Sequence, residues 1–188
     1  VKIVIGLGNP GTRYMSTRHN LGSNVVSEFA RLYGVSIKRS LWSPVDSGKG
    51  VVDGRKVLLV IPRTYMNLSG KAARAVLNRH KADISDMLVV CDDINLPIGR
   101  LRLKGKGSEG GHNGLRSIVD ETGSSQFPRL RMGIAGEGLG KRPLDEYVLS
   151  GFDKGEIQPV EEMKERAIRA IKSWLCDGME LAMSGFNS

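Results

Sequence analysis

A short apolar run, Ile3, Val4 and Ile5, is followed at positions 6–20 by GLGNPGTRYMSTRHN, which cannot continue it. The run has the length and β-branched content of a buried strand. Gly6, Gly8, Pro10 and Gly11 then break the chain, and Ser16 and Thr17 are suited to open a helix. From Leu21 onward Val25, Phe29 and Leu32 recur at helical spacing, and Gly34 supplies a C-terminal stop. A strand, a polar turn and a helix in that order form the building unit of α/β sheets. Whatever the turn holds lies at the carboxyl end of a strand, where open α/β sheets place their sites. Asn9 and His19 both belong to this turn.

The rest of the chain extends the pattern. Val51 and Val52, then Asp53 and Gly54, then residues 57–61 read as a hairpin, because Asp-Gly favours a type I′ turn. Residues 37–50 before it carry no clear period, and Pro62 ends its second strand. Residues 69–80 predict a helix with Ala72, Ala73, Val76 and Leu77 inward. Residues 87–91 are continuously apolar, as expected of a central strand. Residues 100–104 alternate strictly, predicting a strand with one apolar and one basic face, and residues 129–132 alternate again. Between them a Gly-rich loop, residues 105–114, leads into a short helix with Leu115, Ile118 and Val119. Glycines and Pro143 in residues 135–143 predict a mobile surface segment, and the stripe from Val160 to Leu175 a final long helix. No repeat or linker interrupts the series. The expectation is one α/β domain over residues 1–188, a twisted mixed β-sheet flanked by helices on both faces.

Composition sets the class. Apolar residues make up 40% of the 188 and charged residues 26%, as in soluble globular proteins. No apolar run approaches the roughly 18 residues of a membrane span, and no secretory signal is visible, so no membrane partner is expected. Two cysteines, Cys91 and Cys176, do not form a disulfide framework, and a reducing cytoplasm is the natural setting. Net charge is +8 and the pI about 9.7, which favours a polyanionic partner, nucleic acid ahead of membrane.

Three strands are followed by uncommon polar residues: Asn9 after the first, Asn67 after the strand ending at Ile61, and Asp92 and Asp93 after Cys91. The Gly-rich loop adds His112 and Asn113. If the sheet gathers these ends, an imidazole, a carboxylate and three amides share one pocket. Histidine takes a proton from water near neutral pH, and an aspartate on its other ring nitrogen fixes the tautomer. Asparagine amides bind a carbonyl and stabilise the oxyanion that forms on attack. No serine or cysteine occupies a nucleophile elbow, so the pattern points to direct attack by water on an ester or amide. No Cys/His cluster has metal-ligand spacing, and no metal is implied. Each residue also has a plainer role: His19 in a helix's first turn, Asp92 and Asp93 closing a turn before Pro97, Asn9 and Asn67 in turns, His112 packed against glycines, Tyr14 in packing. Gly6, Gly8 and Gly11 formally match the dinucleotide fingerprint, but Ser16 and Thr17 place the helix after the loop, so the glycines would not open it at a pyrophosphate. A nucleotide-dependent oxidoreductase is thereby disfavoured.

Taken together, the motifs resemble those of bacterial peptidyl-tRNA hydrolases. GLGNPG and TRHN in residues 6–20, TYMNLSG at 64–70, CDDINLPIG at 91–99, GSEGGHNGL at 107–115 and FPRLRMGI at 127–134 keep the family's order across nearly the whole chain. The resemblance implies cleavage of the ester joining a peptide to the 3′ ribose of tRNA, in translation, by a monomer that needs no metal or cofactor. It implies His19 as catalytic base and Asp92 as its orienting partner. Asn9 and Asn67 would bind the peptide and the attacked carbonyl, and Asn113 would position substrate and water. Tyr14, Met66 and His112 would line the groove, and residues 136–152 would cover it. Arg102, Lys104, Lys106 and Arg131, on basic strand faces, are the candidate grip on tRNA phosphates. The alternative is an RNA-binding relative of the same fold that has lost hydrolysis.

Overall fold

The computed structural model describes residues 1–41 and 43–187. Its seven strands are β1 (Lys2–Gly6), β2 (Lys38–Arg39), β3 (Val45–Val52), β4 (Arg55–Pro62), β5 (Met87–Pro97), β6 (Leu101–Lys104) and β7 (Arg129–Ala135). They form one sheet in the order β2-β3-β4-β1-β5-β7-β6. The central pairs β4-β1, β1-β5 and β5-β7 are parallel, and β2-β3, β3-β4 and β6-β7 are antiparallel. The helices are α1 (Leu21–Leu32), α2 (Ser69–His80), α3 (Asn113–Thr122), α4 (Leu144–Val148), α5 (Lys154–Asp177) and α6 (Met179–Phe186). The expected mixed sheet with helices on both faces is what the chain forms.

Strand alternation divides the core in two. Val4, Leu88 and Val90 pack with Val25 and Phe29 of α1 and with Ile171 and Trp174 of α5. Ile3, Ile5, Val89 and Cys91 point the other way, onto Ala72 and Val76 of α2 and Leu115 and Ile118 of α3. Successive side chains on a strand face opposite sides, so continuous apolar runs suit a sheet covered on both. Asp53 and Gly54 carry φ of 45° and 78°, the two positive values that a type I′ hairpin turn requires, and Val52 pairs with Arg55 across it.

Four expectations need correction. Strand β5 does not end at Cys91: β7 pairs along it through Asp92 and Asp93, and it continues past an irregularity to Pro97. Strand β7 has no exposed basic face, because chain outside the sheet covers it: Arg129 and Arg131 are both buried, Arg129 donating to the carbonyls of Ser108 and Ser125, and Arg131 lying against Gly110 of the Gly-rich loop. Thr17 opens only a short 3-10 turn, Arg18–Asn20, and its hydroxyl donates back to the carbonyl of Tyr14 rather than capping α1. The last long helix begins at Lys154, held by a capping box between Asp153 and Glu156, six residues before its apolar stripe starts at Val160. Helix α6 follows it, and the Asn187 amide then bonds both the N–H and the carbonyl of Leu103 on the edge strand β6.

Candidate active site

Because the central strands run parallel, the carboxyl ends of β1 and β4 lie on one edge with Asp92 of β5. Helix α1 is pressed unusually close to β1. A methyl group on Gly22 would overlap the carbonyl oxygen of Val90 and crowd Leu7, and one on Gly6 would strike the carbonyl of Gly22. The Ser23 N–H donates to the Leu7 carbonyl at 2.9 Å. This contact carries the preceding turn, Arg18–Asn20, to the edge of the sheet beside β5.

There His19 Nδ1 lies 3.0 and 2.9 Å from the two carboxylate oxygens of Asp92. His112, the N-cap residue of α3, reaches the same carboxylate, Nε2 to Oδ1 at 3.0 Å. Nδ1 of His112 accepts from the N–H groups of Gly114 and Leu115, so its proton sits on Nε2 and is donated to Asp92. The two rings lie 5.0 Å apart between centroids, tilted at 47°. With Nδ1–H of His19 donated to Asp92, Nε2 is the nitrogen left for a substrate or water in the cleft that His19 lines.

Burial is the largest single influence on the Asp92 carboxyl and favours its neutral form. The two imidazoles and their hydrogen bonds outweigh it and hold its pKa far below the usual carboxylate range. Burial also works against a charged His19, but the Asp92 charge and hydrogen bond prevail, and the His19 pKa lies above 6.5. Next along β5, burial drives the Cys91 thiol pKa far upward, so Cys91 is a sealed packing residue and no nucleophile. The atoms of His19, Asp92 and His112 lie within 4.8 Å of one another, close enough to hold an ion. All three are already joined by hydrogen bonds, and a metal would have to turn both rings off the carboxylate.

The trio forms one wall of a cleft of about 800 Å³. Asn9 reaches into it from the turn after β1, with its Oδ1 accepting from the Met66 N–H at 2.8 Å. That bond settles the amide's orientation and leaves Nδ2 as the group offered to the cleft. The backbone of Asn9 is held in turn by Asn20, whose Oδ1 accepts from Asn9 N–H and whose Nδ2 donates to its carbonyl, both at 2.9 Å. Asn67 lies exposed in the 3-10 turn Met66–Leu68, and Asn113 lies exposed at the first position of α3. Tyr14 and the buried Met66 also line the cleft. All eight residues singled out for chemistry or substrate contact therefore meet in one place.

The four tRNA-grip candidates separate. Arg102 and Lys104 are exposed on β6, beyond α3, and Lys106 is exposed in the following loop. Arg131 is instead buried at the floor of the cleft, with Nε 2.9 Å from Asp93 Oδ2. The angle there is poor for a hydrogen bond, so this contact is an ion pair rather than a directed bond. Sequence reasoning gave no role to Arg18, Asn20 or Glu156, and for Asp93 it gave a turn but not the ion pair with Arg131. Arg18 is fully buried beside His19, with Nη2 2.7 Å from Glu156 Oε2. Nothing in the sequence sets it apart from Arg13, the other arginine of the same turn, which is exposed.

The fold and the site define an α/β protein with an acid–imidazole centre and an amide-lined cleft at the carboxyl edge of its sheet. A family model described as peptidyl-tRNA hydrolase matches residues 3–188, and the chain belongs to that family, hydrolases of the ester bond of peptidyl-tRNA. The peptidyl-tRNA hydrolase of Lachnospira eligens is 44% identical over 185 residues, covering 98% of each chain. That of Bacillus cereus is 42% identical over 188 residues, covering 100% of each. The crystal structure of peptidyl-tRNA hydrolase from Acinetobacter baumannii superposes with a TM-score of 0.93 at 33% identity, covering all of this chain and 95% of that one. Among the described residues no helix is long and apolar enough to cross a membrane.

Proposed function

We propose that His19 is the general base of peptidyl-tRNA hydrolysis. Its Nε2 takes a proton from water in the cleft, and the oxygen of that water attacks the ester carbonyl carbon. The bond to the ribose oxygen then breaks, and the imidazolium returns the proton to that oxygen. A free 3′ hydroxyl on tRNA and a peptide carboxylic acid result, and the acid gives its proton to solvent to become the carboxylate. Asp92 holds the ring in the required tautomer and stabilises its charged form. The Nδ2 of Asn9 and the amides of Asn67 and Asn113 bind the acyl group and the oxyanion, at a position water reaches from Nε2. Tyr14, Met66 and His112 bound the acyl pocket, and His112 also holds Asp92 through its Nε2–H.

The observation that carries this reading is the pairing of His19 Nδ1 with Asp92, which leaves one basic nitrogen on the cleft. Leu144 and Leu149, 48% and 41% exposed, also line the cleft, and they support residues 136–152 as an apolar cover for the peptide. Arg102, Lys104 and Lys106 take tRNA phosphates outside the cleft, and Arg131 does so only at its floor. The protein acts as a cytoplasmic monomer without metal or cofactor. Multiple-turnover release of peptide from a defined peptidyl-tRNA tests the scheme. The wild type should turn over, and His19→Ala should lose turnover while still binding tRNA. Binding by the wild type without any turnover would mean an RNA-binding relative instead, and full activity in His19→Ala would remove the base from its role.

A further inference from the structure

At the sheet edge away from β6, strands β2, β3 and β4 and the C-terminal end of α2 enclose a second recess of about 250 Å³. Its cationic lining is Lys38, Arg39, Lys49 and Arg79, with the His80 ring beside them, and among the described residues no carboxylate contributes to it. Serine hydroxyls, Ser47 among them, complete the polar wall, and Leu58 and Val76 form an apolar floor. Lys38, Arg39, Lys49 and Arg79 enter no ion pair among the described residues. Unpaired cations also occur singly elsewhere, as at Arg102 and Lys104, and others such as Lys2, Arg74 and Lys172 pair with acids; what distinguishes the recess is that four unpaired cations line one concavity. The uncompensated charge is felt inside the recess: after burial, Lys49 and Arg79 are the largest influences holding the His80 pKa below 6.5.

Two ordinary reasons place cations here. Lysines on edge strands discourage pairing with other chains, and Arg79 and His80 oppose the dipole at the end of α2. Neither reason calls for a concave site that pairs converging cations with hydroxyls and excludes acids. That combination is the chemistry of a phosphate site.

We propose that this recess binds a backbone phosphate of the substrate tRNA, as a second grip separate from β6. The proposal rests on peptidyl-tRNA being the substrate. Ser47 and Lys49 share the side of β3 that carries Val45, which packs with α2 and α3. On β6, Leu101 and Leu103 pack with the α1 and α5 cluster, so the alternating Arg102 and Lys104 face the α2 and α3 side as well. The two cationic groups thus occupy opposite edges of one sheet face, roughly 24 Å apart at the usual strand spacing. Helix α2 begins beside Asn67 and ends at the recess, which places it roughly 18 Å from the cleft. A phosphate held there belongs to the body of the tRNA and not to the nucleotide that carries the ester. The cleft lies laterally between the two grips, so an RNA that touches both is aimed while its 3′ end stays free to enter.

The test compares hydrolysis of a full peptidyl-tRNA with that of the same peptide esterified to a short CCA oligonucleotide, across a salt series. For the Lys49→Ala, Arg79→Ala double variant, KM for peptidyl-tRNA should rise about tenfold, and the slope of log affinity against log salt should fall by about 1 to 2. Its kcat, its thermal midpoint and its handling of the short substrate should match the wild type. Lys49→Glu should weaken tRNA binding more than Lys49→Ala. An unchanged KM and salt slope on peptidyl-tRNA would overturn the site, as would equal weakening on both substrates. If the wild type hydrolysed neither substrate, the functional reading itself would fail and this site with it, an outcome distinct from a silent double variant of an active enzyme.

Discussion

Arg18 and His19 are neighbours in the chain, both buried, and their charges are housed in opposite ways. His19 meets a carboxylate shared with a second imidazole, and the nitrogen it leaves over opens on the cleft. Arg18 is packed between Tyr147 and Phe152, its Cζ 4.4 and 4.7 Å from their ring centroids. One of its nitrogens bonds Glu156, while Nε and Nη1 have no protein partner. A guanidinium does not release its proton, so Arg18 is a fixed charge, whereas His19 sits where charge can appear and vanish. The Arg18 N–H also donates to the Ser150 carbonyl at 3.0 Å. One turn thus carries both the proposed base and the tie that joins it to the segment before α5. On that proposal chemistry and anchorage are divided between two adjacent side chains.

Substitutions at the two positions should therefore fail differently. The largest effect belongs to His19→Ala, which should lower kcat by about 10³-fold while leaving the thermal midpoint nearly unchanged, since a general base contributes on that scale. Asp92→Asn keeps the shape but removes the charge, and should cost about 10²-fold. It also gives the comparison a pH signature. The base must be neutral to act, so turnover of the wild type should rise with pH through a midpoint above 6.5, because Asp92 raises the His19 pKa against the effect of burial. In Asp92→Asn that midpoint should move to lower pH. A matching stability effect follows. The raised His19 pKa stabilises the fold fully below pH 6.5, and this contribution is lost as pH rises through the folded-state pKa. The Arg18 contact should show no such dependence near neutrality.

On the anchoring side, Glu156→Gln strands a buried guanidinium and should cost about 3 kcal/mol of stability, read by chemical denaturation. Arg18→Met should cost less, because it removes the charge and leaves an apolar stem between the rings. Where either variant is folded, its pH midpoint should match the wild type, and a shifted midpoint would mean that the two roles are not separate. The smallest effect is Arg102→Ala, far from both residues. It should reduce the salt slope of tRNA binding by about 1 and leave kcat alone.

What the sequence discloses follows from how local each feature is. The strand at Ile3, the Asp53 and Gly54 turn and the helix Ser69–His80 are decided by neighbouring residues and could be read directly. The strand ends that carry Asn9, Asn67 and Asp92 could be named as well, but that they meet each other and Asn113 depends on the strand order, which the sequence left as a condition. Arg131 could not be read. The pattern RLRM looks the same on a half-exposed strand and on one covered by a distant loop, and only the path of the Gly-rich loop over it decides. Strand β5 runs past Asp92 for an equally non-local reason, because β7 is present to pair with it. Glu156 lies 138 residues from Arg18, and nothing near either one announces the other.

Gly22 offers no functional group, yet it governs where the proposed base, His19, stands. Backbone lies against backbone there, and a single added carbon would lift α1 off the sheet by about 1 Å, a displacement that costs catalysts of this kind on the order of a hundredfold. A random screen for inactive variants should therefore recover Gly22→Ala alongside changes at His19. The affected protein would still be folded and still hold tRNA, with every reactive group intact and merely out of reach of its target.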